Sequence, residues 1–165
     1  MSILMPAADD AILARREEII AALQKIVPGE GVIFKEAELR PYESDGVTAY
    51  RQLPMVAVLP DNTEQVSQVL KYCYDNGIKV VPRGSGTSLS GGALPLKDAV
   101  LLGLGKFKRV REIDFENRVA VVEPGVTNLA VSQAVAHEGF YYAPDPSSQI
   151  ACSIGGNIAE NSGGV

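Results

Sequence analysis

The chain has 165 residues, 46% of them apolar, 21% charged and 6% aromatic, with 16 glycines, 10 prolines and no tryptophan. That length suits one ordinary domain, which buries about two-thirds of the surface its unfolded chain would expose. Fifteen basic against twenty acidic side chains leave a net charge of −5, which argues against nucleic acid or an anionic membrane surface as a partner.

No apolar run approaches the ~18 to 20 residues of a membrane span, and the longest, 99–104, reads as a buried strand. The start, Met1-Ser2-Ile3, leads into an acidic helix with no basic or apolar leader segment. Two cysteines, Cys73 and Cys152, make no disulfide framework. The expected compartment is the cytosol, with peripheral membrane attachment through a partner left open.

Residues 9–27 predict an amphipathic helix packed on the rest of the protein. Ile12, Ile19, Leu23 and Ile26 form its apolar stripe, Asp9 and Asp10 favour its start, and Pro28-Gly29 stop it. Residues 31–51 read as irregular, with a polar turn at 42–46. Residues 55–59 predict a strand. Asp61-Asn62-Thr63-Glu64 resembles a capping box opening a helix whose face is Val66, Val69, Leu70 and Cys73 and whose end is Asn76-Gly77. Residues 79–82 predict the next strand, and the intervening helix is long enough for a parallel crossover. Further strands follow at 99–104, 110–114 and 119–122, the last two as a hairpin. Thr127 or Asn128 caps a helix running to about Glu138, and 144–165 reads as a loop. The class is α+β from residue 53 onward, with an N-terminal helical extension and lead-in over 1–52.

Eight of the 16 glycines fall in two segments, Gly84, Gly86, Gly91 and Gly92, then Gly155, Gly156, Gly163 and Gly164. Without Cβ, such backbone approaches a ligand closely with its N–H groups turned outward. Ser85, Thr87, Ser88 and Ser90 add hydroxyls to the first segment, and Arg83 adds the nearby positive charge. Together they suit a phosphate or pyrophosphate, although a salt bridge from Arg83 to a neighbouring carboxylate is the competing role. A P-loop is disfavoured because no lysine follows either glycine pair, and a Rossmann fingerprint fails because Leu89 stands at its third glycine. No Lys or Arg follows Arg118. The second segment must therefore grip with amides and polar side chains, namely Ser147, Ser148, Ser153, Asn157, Asn161 and Ser162. Ile150, Ile154 and Ile158 offer apolar contact, a mixture fitted to a large planar cofactor with a polar tail. The bland alternative is that these glycines make tight surface turns.

The run Val81-Pro82-Arg83-Gly84-Ser85-Gly86-Thr87-Ser88-Leu89-Ser90-Gly91-Gly92, with Pro144-Asp145-Pro146-Ser147-Ser148 and Ile154-Gly155-Gly156-Asn157-Ile158-Ala159-Glu160-Asn161-Ser162-Gly163-Gly164, resembles the FAD-linked oxidases of the vanillyl-alcohol oxidase and p-cresol methylhydroxylase (PCMH) type. Within them the chain looks most like the FAD-binding subunit of glycolate oxidase and its D-lactate dehydrogenase relatives, a likeness shared by Tyr42-Glu43-Ser44-Asp45-Gly46. The resemblance implies a PCMH-type FAD-binding domain over 53–165, comprising the first α+β subdomain and the start of the second, truncated at its C-terminal side. It implies FAD held by Pro82, Arg83, Gly84, Ser85, Gly86, Thr87, Ser88, Gly91 and Gly92. A second set comprises Pro144, Ser147, Ser148, Gly155, Gly156, Asn157, Asn161, Gly163 and Gly164. Covalently flavinylated relatives often carry histidine where Thr87 stands, so noncovalent FAD is expected.

The activity implied is hydride transfer from a small 2-hydroxy acid, glycolate or D-lactate, to the flavin. An iron–sulfur or second flavin-binding subunit is the implied electron-transfer partner. The catalytic base and any metal ligands of such relatives lie in a C-terminal substrate domain. The chain is therefore expected to be an inactive N-terminal piece with no catalytic residue or metal site of its own. The alternatives are a noncatalytic flavin-binding or electron-transfer subunit, and a phosphate-binding module without flavin. His137, the only histidine, reads as structural at a helix end, and Cys73 as a buried small hydrophobe. Cys152 borders the second glycine segment, where packing outweighs redox chemistry. Asp45 and Tyr42 are equally well explained as turn residues.

Overall fold

The structure, a computed structural model, describes residues 5–164. The elements are α1 (Asp10–Ala14), α2 (Arg16–Ile26), β1 (Val32–Ile33), α3 (Glu36–Leu39), β2 (Val56–Val58), α4 (Thr63–Asp75), β3 (Lys79–Arg83), β4 (Ala99–Gly103), β5 (Val110–Asp114), β6 (Val119–Val122), α5 (Asn128–Val135) and α6 (Ile154–Glu160). Short 3-10 turns follow α3 and α5. The mixed α and β content agrees with the α+β reading.

A four-stranded sheet has the order β1-β2-β4-β3. β4 is parallel to both β2 and β3, and β1 is antiparallel to β2. The expected crossover β2–α4–β3 is present, but its two strands are not neighbours, because β4 enters between them. All five residues of β4 are buried, as the continuous apolar run of a central parallel strand requires.

Alternation along the strands sorts the core into two layers. Val56, Val58, Val100 and Leu102 face a cluster with Ile19, Leu23, Val69 and Cys73, so α2 and α4 cover one face. Ala57 and Leu101 point the other way, against Leu39, with Ile33, Tyr42 and Leu53 packed alongside. The lead-in therefore forms the second covering layer of the sheet, built on α3 and a 3-10 turn, where the sequence read irregular chain. Burial of Cys73 pushes its thiol up to about 11.

The single helix expected over 9–27 is broken at Arg15, whose backbone leaves helical geometry at φ −94°, ψ 9°. The Arg15 guanidinium reaches Glu18 at 2.8 Å and Asn76 Oδ1, at the end of α4, also at 2.8 Å. Upstream, the Asp9 side chain caps α1, while the Asp9 N–H donates to Asp98 Oδ2 at 2.9 Å. Lys79 Nζ meets the same oxygen at 2.7 Å. Burial opposes the charge on Asp98, but these donors together hold its carboxyl below the ordinary range. The break at Arg15 thus falls between a contact to Asp98 at one end and a contact to Asn76 at the other.

The α4 cap is shifted by one residue from the expected box. Asn62 accepts from Gln65 N at 2.9 Å, and Gln65 Oε1 accepts from Asp61 N at 2.7 Å, a reciprocal pair one step beyond the Asp61/Glu64 reading. Leu70, expected on the buried face, is 45% exposed. Val69 and Cys73 form the buried line of the helix, with Val66 and Tyr72 packed beside it.

The hairpin β5–β6 forms its own two-stranded sheet. Beyond it Val126, Val131 and Ile154 make a third small core. The predicted cap of α5 is Thr127, whose Oγ1 accepts from Ala130 N at 3.3 Å, and Gly139 ends the following turn at φ 78°. The reading of 144–165 as a loop throughout needs correction, since 154–160 is α6. Two adjacent glycines cost helix stability, roughly 1 kcal/mol each relative to alanine. Tertiary contacts offset that cost. Ile154 is buried, Ile154 N donates to Val126 O and Gly155 N to Pro124 O, each at 2.9 Å.

Glu123, at the end of β6, is 4% exposed. It accepts from Arg109 N and Arg109 Nε, both at 2.9 Å, and from Arg111 Nη2 at 3.0 Å. The Arg109 N–H, its guanidinium and that of Arg111 hold the Glu123 carboxyl at about 2, against an ordinary 4.5. A depressed carboxylate stabilises the fold above its unfolded value and loses that contribution as pH falls through its folded value. The stability difference between wild type and Glu123→Gln should therefore be fully present above 4.5 and vanish on acidification toward about 2, read from urea midpoints across that window. Leu101→Ala, which empties the middle of β4, should cost about 2–5 kcal/mol in the same assay at neutral pH.

Candidate cofactor-binding site

The first glycine segment leaves β3 at Arg83, whose register partner on β4 is Gly103. It thus lies at the C-terminal edge of the parallel strands, where ligands of open α/β sheets gather. Gly86 at φ 72° and Gly91 at φ 80° supply two left-handed turns within nine residues. Ser88 is buried, and its Oγ accepts from Ser90 N at 3.2 Å, so this hydroxyl closes a local turn.

Arg83 is 9% exposed. Its Nη1 donates to Ser44 O at 2.8 Å and to Ala93 O at 3.1 Å, and its Cζ lies 5.9 Å from the centre of the Tyr42 ring. Burial pushes its pKa down, opposed by the fields of Asp45 and Tyr42. Its Nη1 is therefore committed to the protein's own backbone. These hydrogen bonds run to backbone carbonyls, whereas the salt-bridge role weighed from the sequence would have placed them on a carboxylate.

The lead-in touches the loop again at Gly46. A Cβ added there would fall 2.7 Å from Thr87 O and 2.9 Å from Ser88 O. Asp45 is buried, with Oδ1 accepting from Val47 N at 3.1 Å and Oδ2 lacking a hydrogen-bond partner. The polar turn read from the sequence at 42–46 is present, but its Asp45 is buried rather than solvated.

The second segment wraps the start of α5. Asn128 N donates to Cys152 O and Leu129 N to Gln149 O, both at 3.0 Å, so 149–152 satisfies the free donors of that helix. Cys152 is buried there. Asp145 N donates to Gly163 O at 3.3 Å, and Gly164, at φ 93°, leaves no room for a Cβ against Asp145. The stretch from Pro144 is thereby tied to Gly163 and Gly164. Ser147 is exposed, and the Ser148 carbonyl accepts from Ala151 N and Cys152 N.

The two glycine segments, distant in the chain, meet in space. A Cβ on Gly84 would land on Ser153 Oγ, and one on Gly92 would stand 3.6 Å from Ser88 Oγ and 3.8 Å from Glu160 Oε1. Ser153 and Asn157 lie one turn apart at the start of α6, joined by Asn157 N to Ser153 O at 3.0 Å, and both are buried. Among the described residues, Ser153 Oγ, Asn157 Nδ2 and both polar atoms of Asn128 are buried without a hydrogen-bond partner. Gly155 and Gly156 lie in the first turn of α6, where an added Cβ on Gly155 would press 2.7 Å from Pro124 Cβ. The expected turn at Gly155-Gly156-Asn157 is thus helical, and Gly155 serves close packing on Pro124. Asn161 caps that helix at φ 55°. Ile154 belongs to the core, whereas Ile150 and Ile158 are 77% and 73% exposed. His137 stands edge-on to Phe115, ring centres 5.8 Å apart, away from both glycine segments in the chain and exposed.

Buried donors without partners, beside backbone that excludes Cβ atoms, fit a ligand rich in acceptor oxygens. The profile of the FAD-binding domain family matches residues 54–165. The glycolate oxidase subunit GlcD of Escherichia coli K12 is 52% identical over 167 residues, covering 100% of this chain and 34% of that protein. The mitochondrial D-2-hydroxyglutarate dehydrogenase of Bos taurus is 34% identical over 149 residues, covering 90% of this chain and 27% of the relative. Among solved structures, p-cresol methylhydroxylase with substrate bound superposes with a TM-score of 0.74 at 22% identity, over 95% of this chain and 31% of that one. That likeness establishes the PCMH-type fold. The chain spans about a third of the length of these relatives. It belongs to the FAD-binding domain family, and FAD is its cofactor.

Proposed function

We propose that the chain is the FAD-holding part of a flavin-dependent 2-hydroxy-acid dehydrogenase or oxidase of the glycolate or D-lactate class. The observation that carries this reading is the meeting of two distant glycine segments at Gly84 and Ser153, beside buried donors without partners. The names of the GlcD and D-2-hydroxyglutarate dehydrogenase relatives support a 2-hydroxy acid as the substrate class. The family match from residue 54 supports 53–165 as the cofactor domain and 1–52 as its lead-in.

When bound, FAD supplies the capacity to accept hydride from the hydroxyl-bearing carbon of the substrate. The contribution of this chain is binding and orientation. Gly84 and Gly86, with Pro82, Ser85, Thr87, Ser88, Gly91 and Gly92, offer close backbone and short hydroxyls to the diphosphate. Ser153 Oγ and Asn157 Nδ2 donate from the opposite wall, with Gly156, Asn161, Gly163, Gly164, Pro144, Ser147 and Ser148 completing that side. Thr87 offers a hydroxyl, a poor partner for a flavin linkage, so the cofactor is held noncovalently. The base and the groups that grip the substrate carboxylate belong to parts of the protein outside these 165 residues.

The word subunit in the name of the GlcD relative supports a multi-subunit assembly. An iron–sulfur or second flavin-binding subunit is the electron outlet in this reading. No helix among the described residues is long and apolar enough to cross a membrane. The reading places the enzyme in the cytoplasm, with any membrane contact made through a partner.

The full-length protein loaded with FAD should lose its flavin absorbance under anaerobic glycolate or D-lactate; persistence of the oxidised spectrum with both acids would overturn the reading. Gly46→Ala should push Thr87 and Ser88 outward. We expect a stability loss of about 1–3 kcal/mol and visibly poorer FAD retention on gel filtration.

A further inference from the structure

The guanidinium of Arg83 is enclosed on several sides by the protein itself. Its Cζ lies over the Tyr42 ring, 5.9 Å from the centre, Ser44 O and Ala93 O accept from Nη1, and an added Cβ on Gly86 would fall on Nη2, Cζ and Nε. The last contact means that the Gly86 backbone rests against the guanidinium. Arg83 thus touches the lead-in at 42 and 44, the loop at 86 and the end of the loop at 93. Asp45, whose Oδ2 has no hydrogen-bond partner, supplies the compensating charge.

A buried cation so placed has a different use from an anion ligand. We propose that Arg83 is a positioning residue that fixes the shape of the 84–93 loop before FAD arrives, and that Tyr42 and Ser44 thereby belong to the cofactor site without touching the cofactor. This rests on the FAD reading for its consequence, but its physical content concerns the apoprotein. The planar fork of Arg reaches two carbonyls while its face supports Gly86, and a lysine carries the same charge without that shape. Charge alone is therefore insufficient.

The test uses the full-length protein in apo and FAD-loaded forms, comparing wild type, Arg83→Lys and Tyr42→Leu. In apoprotein, amide hydrogen exchange over 84–92 should quicken by about tenfold or more in Arg83→Lys, with a FAD dissociation constant raised by a similar factor. Tyr42→Leu should move both readouts in the same direction by a smaller factor. It also serves as the deciding variant if Arg83→Lys does not fold. Weakened FAD binding with unchanged apo-loop exchange would mean direct contact with the cofactor and would overturn the proposal. So would wild-type behaviour of Arg83→Lys in both assays, or unchanged loop exchange in Tyr42→Leu. Failure of the wild type to take up FAD would instead count against the functional reading, since loop exchange is measured without cofactor.

Discussion

A cation buried at the end of a parallel strand is the constraint on which the rest of this molecule depends. Arg83 leaves β3 with its charge out of water, and an unpaired buried charge is untenable. Two backbone carbonyls, one aromatic face and the field of Asp45 meet that demand. Those groups come from the lead-in and from the far end of the glycine loop, so satisfying one side chain draws three chain segments together. Glycine at 46 and 86 follows as a geometric consequence, because a side chain at either place would collide with the assembled parts.

The opposite wall has a different logic. Pro124 and Val126 supply carbonyls to the first N–H groups of α6, and the buried Glu123 just before them is clamped by two arginines of the hairpin. The position of Ser153 and Asn157 is therefore inherited from the turn after β6. Each glycine segment thus has an ionic group beside it, Arg83 at the start of the first and Glu123 just before the carbonyls that receive α6. The side chains at the junction of the two segments are hydroxyl and amide groups, Ser153 and Asn157, with the Glu160 carboxylate near Gly92.

Much of this was legible in the letters. The strands, the caps at Thr127 and Gly139 and the paired glycine segments each carry a local signature that the fold respects. The failures share a cause. The break at Arg15 is accompanied by hydrogen bonds to Asn76 and Asp98, residues far along the chain. Helix α6 forms against the propensity of Gly155 and Gly156 because Pro124 and Val126 accept its first donors. The carbonyls that receive Arg83 Nη1, those of Ser44 and Ala93, lie 39 and 10 residues away. Nothing in a single sequence marks a carbonyl as the acceptor for a distant guanidinium.

The strand order carries a consequence for the history of each molecule. β2 and β3 are made before β4, yet β4 lies between them. The first two strands must hold apart, or pair provisionally, until the chain beyond residue 98 arrives. The segment joining β3 to β4 is the glycine loop itself, and its closure costs entropy that only the insertion of the central strand can recover. The loop between Arg83 and Ala99 is therefore closed only as the sheet is completed.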